Sequence, residues 1–274
     1  MFRYSADRVP VMLILGLTAL DLLVYATVDS LWLLLAWLVV TIIPKGCICA
    51  WSHHHQHTRT FAWTPLNRLL ELSHALHTGI TTHQWLLHHV LGHHHNYLDQ
   101  TKDESRWQRR DGSAMTELEY TLNIAATAYP RAWKVGLRYP RLLRIHLLWL
   151  TVTLLVLAGL VWLRPLQGLI VFGVPMVLGL LITAWATYDH HAGLDAEDDF
   201  EASYNTMNPL YNLMTGNLGY HTAHHHRQGL HWSELPQLHA QLSDRIGAEF
   251  YRRSSWDVLL RVPVLRELAR LGPA

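Results

Sequence analysis

The chain has 274 residues, of which 50% are hydrophobic and only 16% are charged, and it contains 12 Trp and 11 Tyr. Ordinary soluble domains carry roughly 25% charged residues, so this balance is typical of an integral membrane protein. The formal net charge of +1 argues against a basic nucleic-acid-binding surface, and nucleic acid is not expected as a partner. The two cysteines, Cys47 and Cys49, are too few for a disulfide framework or a zinc ribbon.

Apolar stretches in the chain come close to the roughly 20 residues that an α-helix needs to cross a bilayer. We predict transmembrane helices at residues 9–27, 31–50, 145–163 and 166–187, joined as two hairpins by short turns near Ser30 and Arg164. The first stretch is interpreted as a retained span, because no clear small-residue cleavage site of a signal peptide follows it. The predicted fold class is therefore all-α integral membrane, with four transmembrane helices.

Basic residues predict the orientation of these helices. The side shared by both termini carries Arg3, Arg8, Lys45, Arg59, Arg68, Arg131, Lys134, Arg138, Arg141 and Arg144, whereas the opposite turns offer only Arg164. The positive-inside rule then places both termini in the cytoplasm. Residues 51–144 and 188–274 are expected to form a cytosolic cap, so that residues 1–274 make a single membrane domain.

Hydrophobic periodicity predicts further helices in this cap. Apolar residues recur at helical spacing from Pro65 to Leu91, which predicts one amphipathic helix there. Other helices are expected at residues 115–128, 202–214, 233–246 and 255–271. No segment shows a clear β pattern.

Histidines form three clusters, all on the predicted cytosolic side of the membrane. The clusters are His53, His54, His55 and His57; His88, His89, His93, His94 and His95; and His221, His224, His225 and His226. Imidazole is the commonest metal-ligating side chain, and helical spacings of three and four residues put two rings on one face. The clusters therefore predict a metal site, although some of these histidines can equally belong to polar interfacial runs.

The spacing within each cluster selects the better candidates. His53 and His57 lie four residues apart, and His89 begins the pattern HxxxHH. Adjacent residues point about 100° apart on a helix, so His93 and His94 can serve different metal ions. The third cluster reads HxxHH from His221. Two metals become plausible on this spacing.

The order HxxxH, HxxxHH, HxxHH resembles the integral-membrane fatty acid desaturase and hydroxylase superfamily. That resemblance implies three histidine boxes that hold a non-haem diiron centre on the cytosolic side of a four-helix membrane domain. The segment 188–194 is similar to one that supplies an additional ligand in alkane hydroxylases; its register selects His191, and His190 falls where those enzymes carry a glutamate. The segment 231–236 is similar to bacterial fatty acid desaturases of this superfamily.

Carried over residue by residue, the resemblance implies a catalytic and metal-binding set of His53, His57, His89, His93, His94, His191, His221, His224 and His225. Neutral imidazoles do not cancel the charge of a metal, so carboxylates should orient the rings through hydrogen bonds. The candidates for this role are Asp99, Asp103, Glu104, Asp189 and Asp195. Three tryptophans are expected to pack or to line the route of an acyl chain: Trp85, Trp107 and Trp232.

The resemblance implies an oxidoreductase of a bacterial inner membrane with two iron ions, O2 as co-substrate and a fatty acyl substrate. Because the sequence shows no haem-binding or ferredoxin-like module, a separate ferredoxin, rubredoxin or cytochrome is expected to supply electrons. Desaturation is the predicted reaction, with hydroxylation or decarboxylation to a terminal alkene as alternatives. A metal transporter or metal-storage protein is the non-enzyme alternative. A transporter should place ionisable ligands near the bilayer midplane, where Asp21 is the one carboxylate deep in an apolar stretch.

Overall fold

The structure, a computed structural model, describes residues 1–261 and 263–271 and is 70% helical. Its α-helices are α1 (Arg8–Thr27), α2 (Leu31–His57), α3 (Thr64–Thr78), α4 (Glu117–Gly136), α5 (Pro140–Leu163), α6 (Pro165–Gly168), α7 (Val174–His191), α8 (Pro209–Thr215), α9 (His221–His226), α10 (Leu235–Leu242) and α11 (Pro263–Arg270). Two π-helical turns, Leu86–Val90 and Leu169–Gly173, and two strands, β1 (Asn205–Thr206) and β2 (Tyr251–Arg252), complete these elements. The predicted all-α membrane fold is confirmed.

Among the described residues, four helical segments are long and apolar enough to cross a membrane: Ser5–Thr27, Leu31–His57, Pro140–Leu163 and Pro165–His191. They contain the predicted spans 9–27, 31–50, 145–163 and 166–187 and extend beyond them. The π-helical turn at Leu169–Gly173 joins α6 to α7 without ending the fourth segment. Only 11–39% of the most apolar window of each segment is buried within the protein, and the rest is available to lipid.

Proline and glycine set several helix boundaries. Prolines stand in the first turns of α3, α5, α6, α8 and α10, where the missing N–H has no helical partner to lose. Helix α3 ends at Gly79, whose φ of 71° is left-handed and therefore favours glycine. The expected single helix from Pro65 to Leu91 is wrong for this reason: α3 stops at Thr78, and a turn separates it from the π-helical turn at residues 86–90.

The chain forms two compact units, of which the first comprises Met1–His88 and Thr121–Ala184. Its core contains Leu34 and Phe172, neither of which is exposed. The turns of the two membrane hairpins meet within this unit, because the Arg164 guanidinium binds the carboxylate of Asp29 and the carbonyl of Tyr25. Both turns therefore lie at the same end of the hairpins.

A buried ion pair lies inside the first unit. Lys45 Nζ is 2.9 Å from Asp21 Oδ2 and donates a hydrogen bond of 3.0 Å to the carbonyl of Val171. Trp37 donates to the other oxygen of Asp21 at 2.7 Å. Lys45 is thus a buried partner of Asp21 and does not mark a side of the membrane. Its inclusion among the basic residues that predict the orientation was therefore wrong. Arg68 is buried as well, and the other basic residues carry that prediction.

The second unit comprises His89–Tyr120 and Trp185–Ala274. Its helices are short, and β1 pairs with β2 in parallel, which the sequence did not predict. The expected helix at 202–214 is reduced to α8, and the one at 233–246 to α10 between two 3-10 turns. The one at 255–271 is a 3-10 segment, Ser255–Arg261, followed by α11. Residues 262 and 272–274 of the expected cap lie outside the described residues.

Candidate metal centre

The first histidine pair belongs to the last turn of α2. His53 and His57 are four residues apart, and their Nε2 atoms are separated by 3.1 Å. His53 is buried and His57 is half-buried. The helical spacing that singled out these two rings therefore brings their ligand atoms together.

The second histidine cluster begins within the π-helical turn at Leu86–Val90, which contains His88 and His89. The N–H groups of His93 and His94 both donate to the carbonyl of His89, at 3.0 and 2.9 Å, so a bond across five residues accompanies the usual bond across four. This wide turn brings the Nε2 atoms of His89 and His94 to 2.9 Å. The four-residue spacing of His89 and His93 would put these two rings on one face of an α-helix, whereas the structure brings the Nε2 atom of His89 to that of His94.

The third cluster begins α9, and its position depends on a side chain remote in sequence. Asn205 accepts the backbone N–H of Thr222 at 3.1 Å and donates to the Thr222 hydroxyl at 2.8 Å. The first N–H groups of a helix have no partner within it, so this contact caps α9. A Cβ atom on Gly219 would lie 2.0 Å from the carbonyl oxygen of Thr206, so only glycine fits the turn before the cluster.

Two groups of three histidines form within the second unit. His89, His94 and His224 offer ligand atoms within 4.8 Å of one another. His93, His191 and His225 do the same. His221 adjoins the second group, since its Nε2 atom is 3.0 Å from that of His191. His93 and His94 thus fall into different groups.

The separations within these groups fit metal coordination. Two imidazole nitrogens that each lie about 2.1 Å from one ion and subtend a right angle are about 3.0 Å apart. The Nε2 atoms of His94 and His224 are 3.1 Å apart, and those of His93 and His191 are 3.3 Å apart. Both distances are close to that of adjacent ligands on one ion.

The protonation state of the buried rings also fits metal binding. His225 is buried, and neither of its ring nitrogens has a hydrogen-bond partner among the described residues. Burial, together with the neighbouring imidazoles, lowers the pKa of His225 and His221 well below the usual value. These rings are therefore neutral, which is the form that binds a metal. Buried lone pairs without a donor are the chemical need that an ion would meet.

Two contacts fix the orientation of rings in the second group. Asp103 is buried, and its oxygens lie 2.9 and 3.0 Å from Nδ1 of His93. His191 donates from Nδ1 to the carbonyl of Ala202 at 2.8 Å. A ring held at Nδ1 presents its Nε2 lone pair to a metal.

Of the five predicted carboxylates, Asp103 contacts a predicted ligand, His93. Asp99 pairs with Lys102, Asp189 pairs with Arg252, Asp195 is exposed, and Glu104 is buried.

Two neighbours of the cluster were not assigned by sequence. His190 stacks on His221 with ring centroids 3.9 Å apart and an interplanar angle of 9°. Tyr97 packs its ring 4.5 Å from that of His225 and donates its hydroxyl to Asp199. Tyr97 lies three residues after His94, a helical spacing that could have identified it as a neighbour. His190 lies in the segment 188–194, in which the resemblance to alkane hydroxylases did not define its role.

The remaining predicted residues separate by burial. His54, His55 and His88 are buried, whereas His95 and His226 are exposed. Trp85, Trp107 and Trp232 are buried, and their place along an acyl route stays a prediction.

The described part of the chain is mostly helical, with four segments long and apolar enough to cross a membrane and a buried histidine cluster. These features define an integral membrane protein with a site that can hold metal. The family model for fatty acid desaturases matches residues 30–256, a range that includes every predicted ligand. The chain belongs to the fatty acid desaturase family, an enzyme family of membrane oxidoreductases with fatty acyl substrates. Comparisons with curated proteins and with solved structures give no match.

Proposed function

We propose that this protein is a non-haem diiron oxidoreductase that desaturates fatty acyl chains, with O2 as oxidant and a separate ferredoxin, rubredoxin or cytochrome as electron donor. The observation that carries the proposal is the division of neighbouring histidines into two groups, with His93 in one and His94 in the other. The proposed ligand set is His53, His57, His89, His93, His94, His191, His221, His224 and His225. Residues 1–274 are proposed to act as one domain.

Desaturation removes two hydrogens from adjacent methylenes, consumes O2, two electrons and two protons, and yields a double bond and two waters. Bound iron would supply the oxidising power that an unactivated C–H bond requires, and imidazole ligands suit it. The chain's own part is to hold neutral rings in fixed orientations. Asp103 accepts the N–H of His93, and the carbonyl of Ala202 accepts that of His191. Burial of these rings keeps bulk water away from the site.

The products distinguish desaturation from its two alternatives. Hydroxylation would insert one oxygen atom, and decarboxylation would remove the carboxyl carbon to leave a terminal alkene. The segment 231–236 favours desaturation, whereas the segment 188–194 and the HxxxHH pattern that begins at His89 favour hydroxylation. Lipid profiling by mass spectrometry of cells with and without the protein tests this choice: new double bonds support the proposal, and new hydroxyl groups or lost carboxyl carbons contradict it.

The metal assignment has its own test. Purified protein should contain close to two irons per chain, and His57→Ala, His94→Ala and His225→Ala should each abolish turnover and leave membrane insertion intact. His95→Ala is the matched control, because His95 is adjacent to His94 but exposed. A fully active zinc-loaded enzyme would overturn the diiron assignment. Failure to consume O2 with an added acyl substrate and a reductant would favour a metal carrier.

We further propose that the protein lies in a bacterial inner membrane with both termini in the cytoplasm. Single cysteines at Ser30 and Leu163, in a background with Cys47 and Cys49 replaced, should react with an impermeant thiol reagent added outside intact cells. Leu163 serves better than its neighbour Arg164, which binds Asp29. A cysteine at Ser113 should stay unlabelled, and its labelling from outside would overturn the orientation.

A further inference from the structure

One buried carboxylate in the first unit, that of Glu71 on α3, joins segments that lead to two different histidine clusters. His55 Nε2 lies 3.2 Å from Glu71 Oε1, and the Thr82 hydroxyl donates to Oε2 at 2.7 Å. Arg68 donates to the same Oε2 at 2.5 Å. All four side chains are buried. The carboxylate is therefore shared by α2, α3 and the turn that follows α3.

His55 stands between the two predicted ligands of the first cluster but is engaged elsewhere. Its Nδ1 lies 2.9 Å from the Thr60 hydroxyl, and its Nε2 faces Glu71. Both ring nitrogens are used, so His55 is not available as a ligand. Its bonds instead fix the rotation of the last turn of α2, where His53 and His57 lie. Helix ends fray when they lack such partners.

Thr82 lies on the other side of the carboxylate, in the turn that leads to the second cluster. His83, the next residue, has a φ of 59°, a left-handed conformation that is rare for residues other than glycine. Its Nε2 accepts a hydrogen bond of 3.1 Å from Arg68. Strained backbone of this kind persists where surrounding contacts enforce it. Arg68 supplies one such contact to His83, and Glu71 supplies another through Thr82. The π-helical turn that contains His89 begins three residues after His83, at Leu86.

We propose that Glu71 is a positioning residue for the metal centre: through His55 it orients the first histidine box, and through Thr82 it holds the chain that enters the second. This inference rests on the proposed function. Glu71, Thr82 and His55 act in this proposal without contacting metal or substrate.

The experiment uses the full-length protein, purified without metal and titrated with Co²⁺ as a spectroscopic probe. Replacing a residue that orients metal ligands typically weakens metal affinity by roughly 10–100-fold. We expect a loss of that size for Glu71→Gln, together with a changed Co²⁺ absorption spectrum, which a general loss of stability would not produce. Thr82→Val removes one hydrogen bond and should give a smaller loss, about threefold to tenfold, with the same spectral change.

Asp21→Asn is the matched control, because Asp21 is also a buried carboxylate with a cationic and a histidine neighbour, Lys45 and His77. This variant should have a lower melting temperature than the wild type but the same Co²⁺ affinity and absorption spectrum. If Glu71→Gln does not fold, Thr82→Val decides the question. Wild-type affinity and spectrum in the folded Glu71 and Thr82 variants would overturn the positioning role alone. A wild-type protein that binds no Co²⁺ would overturn the proposed metal centre and this inference with it.

Discussion

The contact between Asp103 and His93 supports a graded prediction about metal affinity. Both oxygens of Asp103 approach Nδ1 of His93, and Oδ1 also accepts the N–H of Ser105 at 2.7 Å. The pair is buried, with side chains 2% and 1% exposed, so little solvent can replace the carboxylate. Removing Asp103 should therefore weaken the hold on one ligand ring without removing any ligand.

The magnitude follows from the strength of such a bond. A hydrogen bond to a charged group contributes about 1.5–3 kcal/mol, and each 1.4 kcal/mol corresponds to about a tenfold change in binding. Asp103→Ala should therefore weaken metal binding by roughly 10–100-fold. Asp103→Asn keeps a neutral acceptor of about half the strength, so we expect a loss of roughly threefold to tenfold. Asp99→Asn should have no effect, because Asp99 pairs with Lys102 and its side chain is 38% exposed.

The assay is a competition titration of the metal-free protein with Co²⁺ against a chelator of known affinity, with a thermal melt of each variant. We expect the order Asp103→Ala, Asp103→Asn, Asp99→Asn, from the weakest binder to the strongest. An Asp103→Ala variant that remains folded and binds Co²⁺ within about threefold of the wild type would refute the orienting role of Asp103. Equal losses in the Asp103→Asn and Asp99→Asn variants would refute it as well.

Two further predictions concern stability. Gly179→Ala should destabilise the protein by about 3 kcal/mol or more in chemical denaturation, because the new Cβ would lie 2.5 Å from Thr78 Cα. Gly159→Ala should instead stabilise α5 by roughly 0.5–1 kcal/mol, because its new Cβ would meet nothing within 4 Å. Equal effects at the two glycines would contradict this packing. Acid should destabilise the metal-free protein in two stages, which can be measured as the melting temperature at a series of pH values. Burial lowers the pKa of His83 to about 4, and the charge of Arg68 adds to this effect. The stability that comes from keeping His83 neutral and buried is present above pH 6.5 and is lost as the pH falls towards 4. Burial alone would raise the pKa of Glu71, but the His55 hydrogen bond and the charge of Arg68 lower it to about 2. The ionised Glu71 therefore contributes about 3 kcal/mol to the free energy of unfolding above pH 4.5, and this contribution is lost between pH 4.5 and pH 2. A melting temperature that stays constant from pH 7 to pH 4 would contradict the first stage. The variant His83→Asn should reduce this stage without abolishing it, because the pKa values of His221 and His225 are lowered as well.

The sequence by itself determined the membrane helices and the pairing in the first histidine cluster. Hydrophobic length is a local property, because each span must satisfy its backbone within one helix in the bilayer. The four-residue spacing of His53 and His57 likewise needed only an α-helix, which the apolar run before it already implied. The end of α3 at Gly79 is also local, although the periodicity of the following residues masked it.

Only the tertiary structure decided which residues outside those patterns meet. His89 pairs with His94 where the carbonyl of His89 accepts the N–H groups of both His93 and His94, a backbone geometry that residue type does not record. Lys45 looked like a surface charge and is buried on Asp21, because two helices of one hairpin bring them together. Asp103 separated from the other four candidate carboxylates only when its distance to His93 was known. Spacing along a chain encodes neighbours within one helix, whereas contacts between segments remote in sequence depend on how their surfaces pack, which no local pattern records.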